Sequence, residues 1–547
     1  MKCLIFFITF VIYTITEVSA QVVYEPVNNN PVYEFLDELA ALKVITLNSV
    51  VRPYSRSVIA LKLSEAKSNT DKLNKRQLED LNFYLKDYQF DLQKKITNAL
   101  PAETGKRQDA SFNLNPLSFR LNKEVYKLSI APAIGSSFIL NNNGNSKEVT
   151  AGGDMYGYLA GHIGYYANII YNWQSQPMVN PLMFNTESGN SLNFNGNGSV
   201  ENTEWRGGLS VGWKWGDAGI YKDRPVWGYG SHGTNIISGK APSFPYVQLH
   251  FKPAKWIEFY CIDALLQSNV IDSSRSTFTQ GSVNVKYHRK YMASNIITLT
   301  PWRGLDFSFG NSIFWSDVIK VGYLIPFNLY KSIDQTQRGT VSYTDNLNVN
   351  DDGHLFFTLS SRNIKHLHLF ACLWIDDWVT SYVLDPKKHN CLSWKLGLEL
   401  ADMPVKNLSL NVESSINRPR VYQEYNPVNS YTNDSYNLGN YLQDDSWELF
   451  IRINYKPIRG LSVSASYNIA QRGGFQYMKD DYSTYPLSKN LVYNNTIISL
   501  DANYHLLTNL SLYMGFQYQD YNGDLQYIPE VFHGRTTTMI LGMGLGI

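Results

Sequence analysis

The sequence predicts a transmembrane β-barrel of about 18 antiparallel strands behind a small N-terminal three-helix domain. Three observations carry that prediction. An export signal opens the chain, yet no later stretch of about eighteen apolar residues exists to make a membrane helix. From about residue 112 onward, apolar and polar residues alternate, the period of a strand with one oily face. A short turn also recurs roughly every 40 to 60 residues, room for a strand, a long loop and a returning strand.

Charge decides little, because 48 basic and 47 acidic residues leave a net +1 and no charged tail, and nothing calls for nucleic acid. The 38 Tyr, 26 Phe and 12 Trp suit a barrel with interfacial aromatic girdles, although sugar-binding surfaces and other all-β folds also favour them. Lys2, the apolar run Leu4 to Ile15 and Val18-Ser19-Ala20 form a signal peptide, residues 1–20, with cleavage expected near Ala20. Cys261, Cys372 and Cys391 remain in the mature chain. An odd number with no C-x-x-C spacing points to free cysteines rather than a disulfide framework or a metal site.

Residues 21–110 read as a periplasmic helical domain. Asn30-Pro31 starts one helix, with Phe35, Leu36, Leu39 and Leu42 on its apolar face. A second starts near Ser55 and carries Val58, Ile59, Leu61 and Leu63. Asn74 and Gln77 make a capping box for a third, on which Leu78, Leu81, Leu85, Tyr88 and Leu92 share one face. Residues 30–98 are thus expected to pack on themselves or on a periplasmic partner.

Residues 111–547 read as the barrel. Early strands are expected near 127–139, 153–160, 164–173, 203–214 and 218–224. Trp394 to Leu400, Trp447 to Tyr455, Leu461 to Ile469 and Leu510 to Tyr518 each show one apolar and one polar face. The turns follow a pattern of Pro, a basic residue two later, then a new strand, as in Lys252 to Ile257, Thr300 to Leu305, Met403 to Leu408 and Lys456 to Leu461. Looser copies stand at Arg362 to Leu367 and Leu506 to Leu510. Short turns on one side and long loops on the other are the outer-membrane pattern. The last strand has an oily face of Thr537, Met539, Leu541, Met543, Leu545 and Ile547, and pairs with the first near Tyr126 to Leu140. Its other face, Gly542, Gly544 and Gly546, suggests that something packs closely from inside the lumen.

Four long segments, Gln174 to Glu204, Asn417 to Asp445, Gln471 to Asn495 and Asp520 to Arg535, are rich in Tyr, Asn and Asp. Sugars stack on flat rings while amides and carboxylates bind their hydroxyls, so Tyr422, Tyr425, Tyr431, Tyr436 and Tyr441 with Asn433 and Asp434 form a candidate carbohydrate site. Aromatics folded over the barrel mouth are the alternative. Asp376, Glu448 and Arg452 are expected to face the lumen as a polar network. Asp376, Asp377 and His389 suggest acid/base chemistry, and His366 with His368 suggests a metal. Neither set is complete, so no catalytic residue, metal or cofactor is expected.

One segment is more specific. Trp227-Gly228-Tyr229-Gly230, Asn235-Ile236-Ile237-Ser238 and Ala241-Pro242-Ser243-Phe244-Pro245 resemble the signature of the capsule assembly Wzi family. Arg52-Pro53-Tyr54-Ser55-Arg56, Tyr323 to Asn328 and Ile375-Asp376-Asp377 support the likeness, while Tyr229 stands where the family commonly has Pro. The resemblance implies an eighteen-stranded outer-membrane barrel with a periplasmic helical bundle. It also implies a lectin-like, non-enzymatic role holding capsular or other surface polysaccharide, with Trp227 and Tyr229 as further sugar-contact candidates. The expected partners are that polysaccharide and outer-membrane lipid; the alternative function is a porin or export channel.

Overall fold

The computed structural model describes residues 22–28, 30–92, 110–123, 125–279, 282–333 and 351–547. The signal peptide and residues 93–109, which lead to the expected domain boundary, lie outside them. Three helices come first: α1 (Val32–Ala41), α2 (Arg56–Lys67) and α3 (Lys75–Leu92). Each start follows from its sequence. Asn30 Oδ1 accepts the Val32 N–H at 3.2 Å and Ser55 Oγ accepts that of Val58 at 3.3 Å. At α3 the capping box is reciprocal: Gln77 Oε1 accepts from Asn74 N at 2.9 Å, and Asn74 Oδ1 from Gln77 N at 3.0 Å.

Phe35, Leu36, Leu39, Ile59, Leu63, Leu81, Leu85 and Tyr88 share one core. Val58, Leu61 and Leu78, expected on the buried faces, instead stand exposed, because α2 and α3 bury a narrower stripe than their apolar residues mark out. We expect Asn74→Ala to cost about 1 kcal/mol, read as earlier loss of the helical circular-dichroism signal on heating the full chain.

Eighteen strands make the wall: β1 (Tyr126–Asn141), β2 (Gly144–Leu159), β3 (Ile163–Gln174), β4 (Val200–Trp213), β5 (Gly216–Asp223) and β6 (Phe244–Ala254); then β7 (Ile257–Ile271), β8 (Tyr287–Trp302), β9 (Leu305–Ser316), β10 (Asp352–Ser361), β11 (Leu367–Ile375) and β12 (Leu392–Ala401); and finally β13 (Leu408–Asn417), β14 (Ser446–Tyr455), β15 (Leu461–Arg472), β16 (Tyr493–Leu507), β17 (Leu510–Gly523) and β18 (Arg535–Leu545). Each pairs antiparallel with the next, and β18 closes on β1 from Thr538↔Asn141 to Leu545↔Ile134. Closure removes the open edge that hydrocarbon would not tolerate. Among the described residues no helix is long and apolar enough to cross a membrane.

The alternation holds: Val463, Tyr467, Trp394, Leu396, Leu512, Met514 and Phe516 point outward and are exposed, while Ser393, Lys395, Glu448 and Asn468 face in and are buried. Three details differ from expectation. The strand expected at 153–160 begins at Gly144, across the two-residue turn Asn142-Asn143. A hairpin of residues 110–114 and 117–122, not foreseen, pairs with the lower part of β1 from Phe119↔Ile130 to Asn122↔Lys127, covering the edge that β18 leaves free. In the recurring turns, Pro253 and Pro301 are still strand residues. What four of the turns share is a residue with positive φ: Gly304 (87°), His366 (72°), Asn407 (65°) and Gly460 (74°). In those four a left-handed residue reverses the chain, whereas the turns at Lys255-Trp256 and Thr508-Asn509 manage without one.

The glycine face of β18 is filled from the barrel itself. A Cβ at Gly542 would collide with the Tyr513 ring of β17, and one at Gly544 with Ile547. Gly546 has φ 68°, so the chain turns and Ile547 covers Gly544 and Gly135 rather than continuing the oily face. Cys261, Cys372 and Cys391 are buried and free.

The helices dock on the short-turn end. His366 N–H donates to Ala41 O at 2.9 Å, Asn74 Nδ2 to Asn407 Oδ1 at 2.9 Å, and Gly460 N–H to Asp80 at 3.2 Å. Arg452 pairs with Glu34 at 2.8 Å and holds that carboxyl down at about 2. The face assigned to a periplasmic partner is thus largely taken by the protein's own barrel.

Candidate functional site

The segment 224–243 between β5 and β6 folds into the lumen. Trp227 is fully buried and meets Phe356 of β10 edge-on at 6.3 Å. Tyr229 lies against His368 and Phe370 of β11, both at 5.7 Å. Asn235 Nδ2 donates to Ser393 O at 3.1 Å. Gly228 and Gly230 have φ of 105° and 124°, and a Cβ at Gly230 would meet Gly233 O and the Glu413 carboxylate, which explains two glycines of the Trp-Gly motif. Val226–Trp227 pairs antiparallel with Val51–Arg52, and Gly228 N–H donates to Val50 O at 2.7 Å. Plug and helical domain therefore meet inside the barrel.

The loop from Tyr422 to Tyr441 also turns inward. The Tyr422 hydroxyl donates to Asn235 O at 2.8 Å, Tyr431 to Ile236 O at 2.9 Å, Tyr436 to Asn190 O at 3.0 Å, and Tyr441 to Glu448. Asn433 donates to Pro242 O and accepts from Gln267 N. Trp227, Tyr229, Tyr422, Tyr431, Tyr436, Tyr441 and Asn433 are all buried, so in this conformation their rings and amide offer no free face for stacking or hydrogen-bonding a sugar. The physical reason is that a large ring gains by filling the lumen, and the hydroxyls of Tyr422, Tyr431, Tyr436 and Tyr441 each find a carbonyl or carboxylate there. Trp227 Nε1 and Tyr229 Oη, by contrast, are buried without a hydrogen-bond partner among the described residues. Tyr425, by contrast, is 64 % exposed. Asp434 sits with Ser435 in a tight hairpin turn, both at positive φ, where it accepts from Asn269 at 2.8 Å and from Ser191.

Asp376, Glu448 and Arg452 all face inward, and each holds an inserted segment. Asp376 accepts the Tyr422 N–H at 3.0 Å, Glu448 faces His232 of the plug at 3.0 Å, and Arg452 holds Glu34. Asp377 pairs instead with Arg420, so the two neighbouring aspartates serve different partners. His366 and His368 do not converge: His366 contacts Ala401 O, and His368 lies between Ser360 and Glu399.

The long-loop end carries a cluster that sequence reading missed. Arg420 has φ 73°, a conformation uncommon for a residue with a side chain. Its guanidinium lies 5.2 Å from the Tyr477 ring and 4.9 Å from the Tyr482 ring. Asp377 pairs with it at 3.0 Å and Glu424 at 3.8 Å. Burial is the largest single influence and opposes its charge, but Asp377 and the other groups around it together outweigh burial and hold it protonated. Burial pushes the Tyr482 hydroxyl up to about 12 and also raises Glu424. Both tyrosines are half-buried, and Tyr425 adjoins Glu424 in the chain. Gln471 to Asn495 reads as Tyr-rich, but its meeting with Arg420 is made only by folding.

No protein-family model matches the chain, and no curated protein sequence does. Solved structures are similar to it. Wzi of Escherichia coli, described as an outer-membrane protein involved in group 1 capsule assembly and a carbohydrate-binding β-barrel, is 11 % identical, with 96 % of this chain and 100 % of that one covered at a TM-score of 0.56. OccD3 of Pseudomonas aeruginosa covers 76 % of this chain and 90 % of its own at 10 % identity and a TM-score of 0.41. The expected likeness to Wzi is found, at the level of fold.

Proposed function

We propose that this closed outer-membrane barrel is a non-catalytic, lectin-like protein that holds a capsular or other surface polysaccharide at its outer mouth. The observation that supports it best is the Arg420 guanidinium held between Tyr477 and Tyr482, with Asp377 and Glu424 beside it, above a lumen filled by inserted loops. Rings stack on sugar faces, carboxylates accept from hydroxyls, and a fixed cation favours acidic sugars. Exposed Tyr425, next to Glu424 in the chain, adds a further ring to that surface. Wzi, whose fold is shared, is described as carbohydrate-binding, which adds weight to this reading.

The test is binding of the full chain in detergent to the native cell-surface glycans. Tyr477→Ala with Tyr482→Ala should weaken binding by about 10- to 100-fold, from roughly 1 to 3 kcal/mol of lost ring contact. Unchanged affinity would overturn the assignment of the site. A steady conductance of the wild-type protein in planar bilayers would instead favour the porin reading.

A further inference from the structure

We propose that Asp352, His354 and Asp376 form a binding site for one divalent transition-metal ion, Zn²⁺ being the ion their donor set suits. The site is separate from the glycan cluster and does not rest on it. Asp352 and His354 are two apart on β10 and so share its lumen face, and Asp376 follows the end of β11 beside them. One ligand atom from each lies within 4.8 Å of the other two. All three residues are nine-tenths or more buried, His354 at 1 % exposure.

What sets this cluster apart from an ordinary buried ion pair is its lack of internal hydrogen bonds. His354 Nε2 and Asp352 Oδ2 are 2.9 Å apart, yet neither atom has a hydrogen-bond partner among the described residues. Asp376 Oδ1 lies 3.9 Å from the same nitrogen. Three lone-pair donors thus face one small volume. A buried polar atom left this way is costly, and a cation satisfies all three at once.

The surroundings hold the ligands as a metal site requires. Phe314, Trp374 and Tyr431 enclose the imidazole at centroid distances of 5.9, 4.8 and 5.2 Å, fixing its plane. Ser312 Oγ lies 3.5 Å from Nδ1, a polar neighbour on the side of the ring away from the carboxylates. The other oxygen of Asp376 accepts the Tyr422 N–H. Lys290 is engaged by Ser430 O and Thr432 and Arg420 by Asp377 and Glu424, while Lys331 stands close enough to act electrostatically on Asp352 and His354. One imidazole and two carboxylates, with a fourth place for water, suit Zn²⁺. The other His–Asp cluster, Asp272, His288 and Asp317, is a weaker candidate, since Arg275 already pairs with both of its carboxylates.

Equilibrium dialysis of the full chain against Zn²⁺, with metal measured per folded protein, tests this. One retained equivalent is expected, lost in both Asp352→Asn and His354→Gln and kept in Asp272→Asn. Co²⁺ added instead should give the weak visible bands of nitrogen and oxygen ligation without the intense near-ultraviolet thiolate band. No uptake by wild type, uptake unchanged in Asp352→Asn, or a thiolate band pointing to the buried cysteines would each overturn the assignment. Should His354→Gln fail to fold, Asp352→Asn and the Co²⁺ spectrum decide it.

Discussion

Glu413→Ala is expected to destabilise the folded barrel by about 3–5 kcal/mol and to open a lumen that is otherwise filled. Glu413 on β13 pairs with Lys395 on β12 at 2.7 Å, and neither side chain has any solvent exposure. The same carboxylate accepts from Ser231 N at 2.7 Å, Ser231 Oγ at 2.9 Å, His232 N at 3.3 Å and Asn411 at 2.9 Å. It is therefore both the counter-ion of a buried lysine and the anchor of the plug's tip. Removing it leaves a buried charge and two backbone N–H groups with no acceptor. Thermal unfolding of the purified variant should occur earlier, and planar-bilayer recordings should show current that wild type lacks. The control is Glu413→Ala with Lys395→Met, which removes both charges and should recover a good part of the stability while leaving the tip unanchored. A single variant as stable and as non-conducting as wild type would show that the plug is held elsewhere.

Arg56→Ala should release the helical domain from the barrel, at a similar cost of about 3–5 kcal/mol. Arg56 is 4 % exposed and pairs with Glu25 at 2.6 Å, Asp87 at 3.0 Å and Asp91 at 3.2 Å. Its guanidinium also lies over Tyr88 of α3 at 4.4 Å and over Tyr156 of β2 at 4.2 Å. Asp87 keeps Arg120 and Asp91 keeps the Tyr158 hydroxyl, but Glu25 is left with Asn30 alone. Arg56→Lys should recover little, because a single ammonium cannot reach three carboxylates in a fixed fork or lie flat between two rings. Faster proteolysis and hydrogen exchange across residues 22–92, with the strands still protected, is the expected readout. Equal protection of the domain in wild type and variant would show that the end-turn contacts suffice for docking.

Local pattern accounts for much of the fold. The Asn74–Gln77 capping box, the Ser55 cap and the lipid face of Val463 and Tyr467 all depend on neighbours two to four residues apart or on strand period. Such features survive in sequence because the physics behind them is local. The Asn142-Asn143 turn was equally local and went unnoticed among the surrounding polar residues. The candidate site was legible only in composition. Tyr422, Tyr431 and Tyr436 look alike whether they face a sugar or a carbonyl 187 to 246 residues away in the chain.

The sequence by itself determined an exported chain, three capped helices and about eighteen one-sided strands, because alternation and caps are set by spacing along the backbone. Only the tertiary structure decided that the Trp227 and Tyr422 segments lie inside the barrel, that Arg420 stands between Tyr477 and Tyr482, and that Asp376 joins Asp352 and His354. Those meetings bring together residues from separate loops, and whether a loop's rings and charges face water or one another is settled by the volume and polarity of the closed wall.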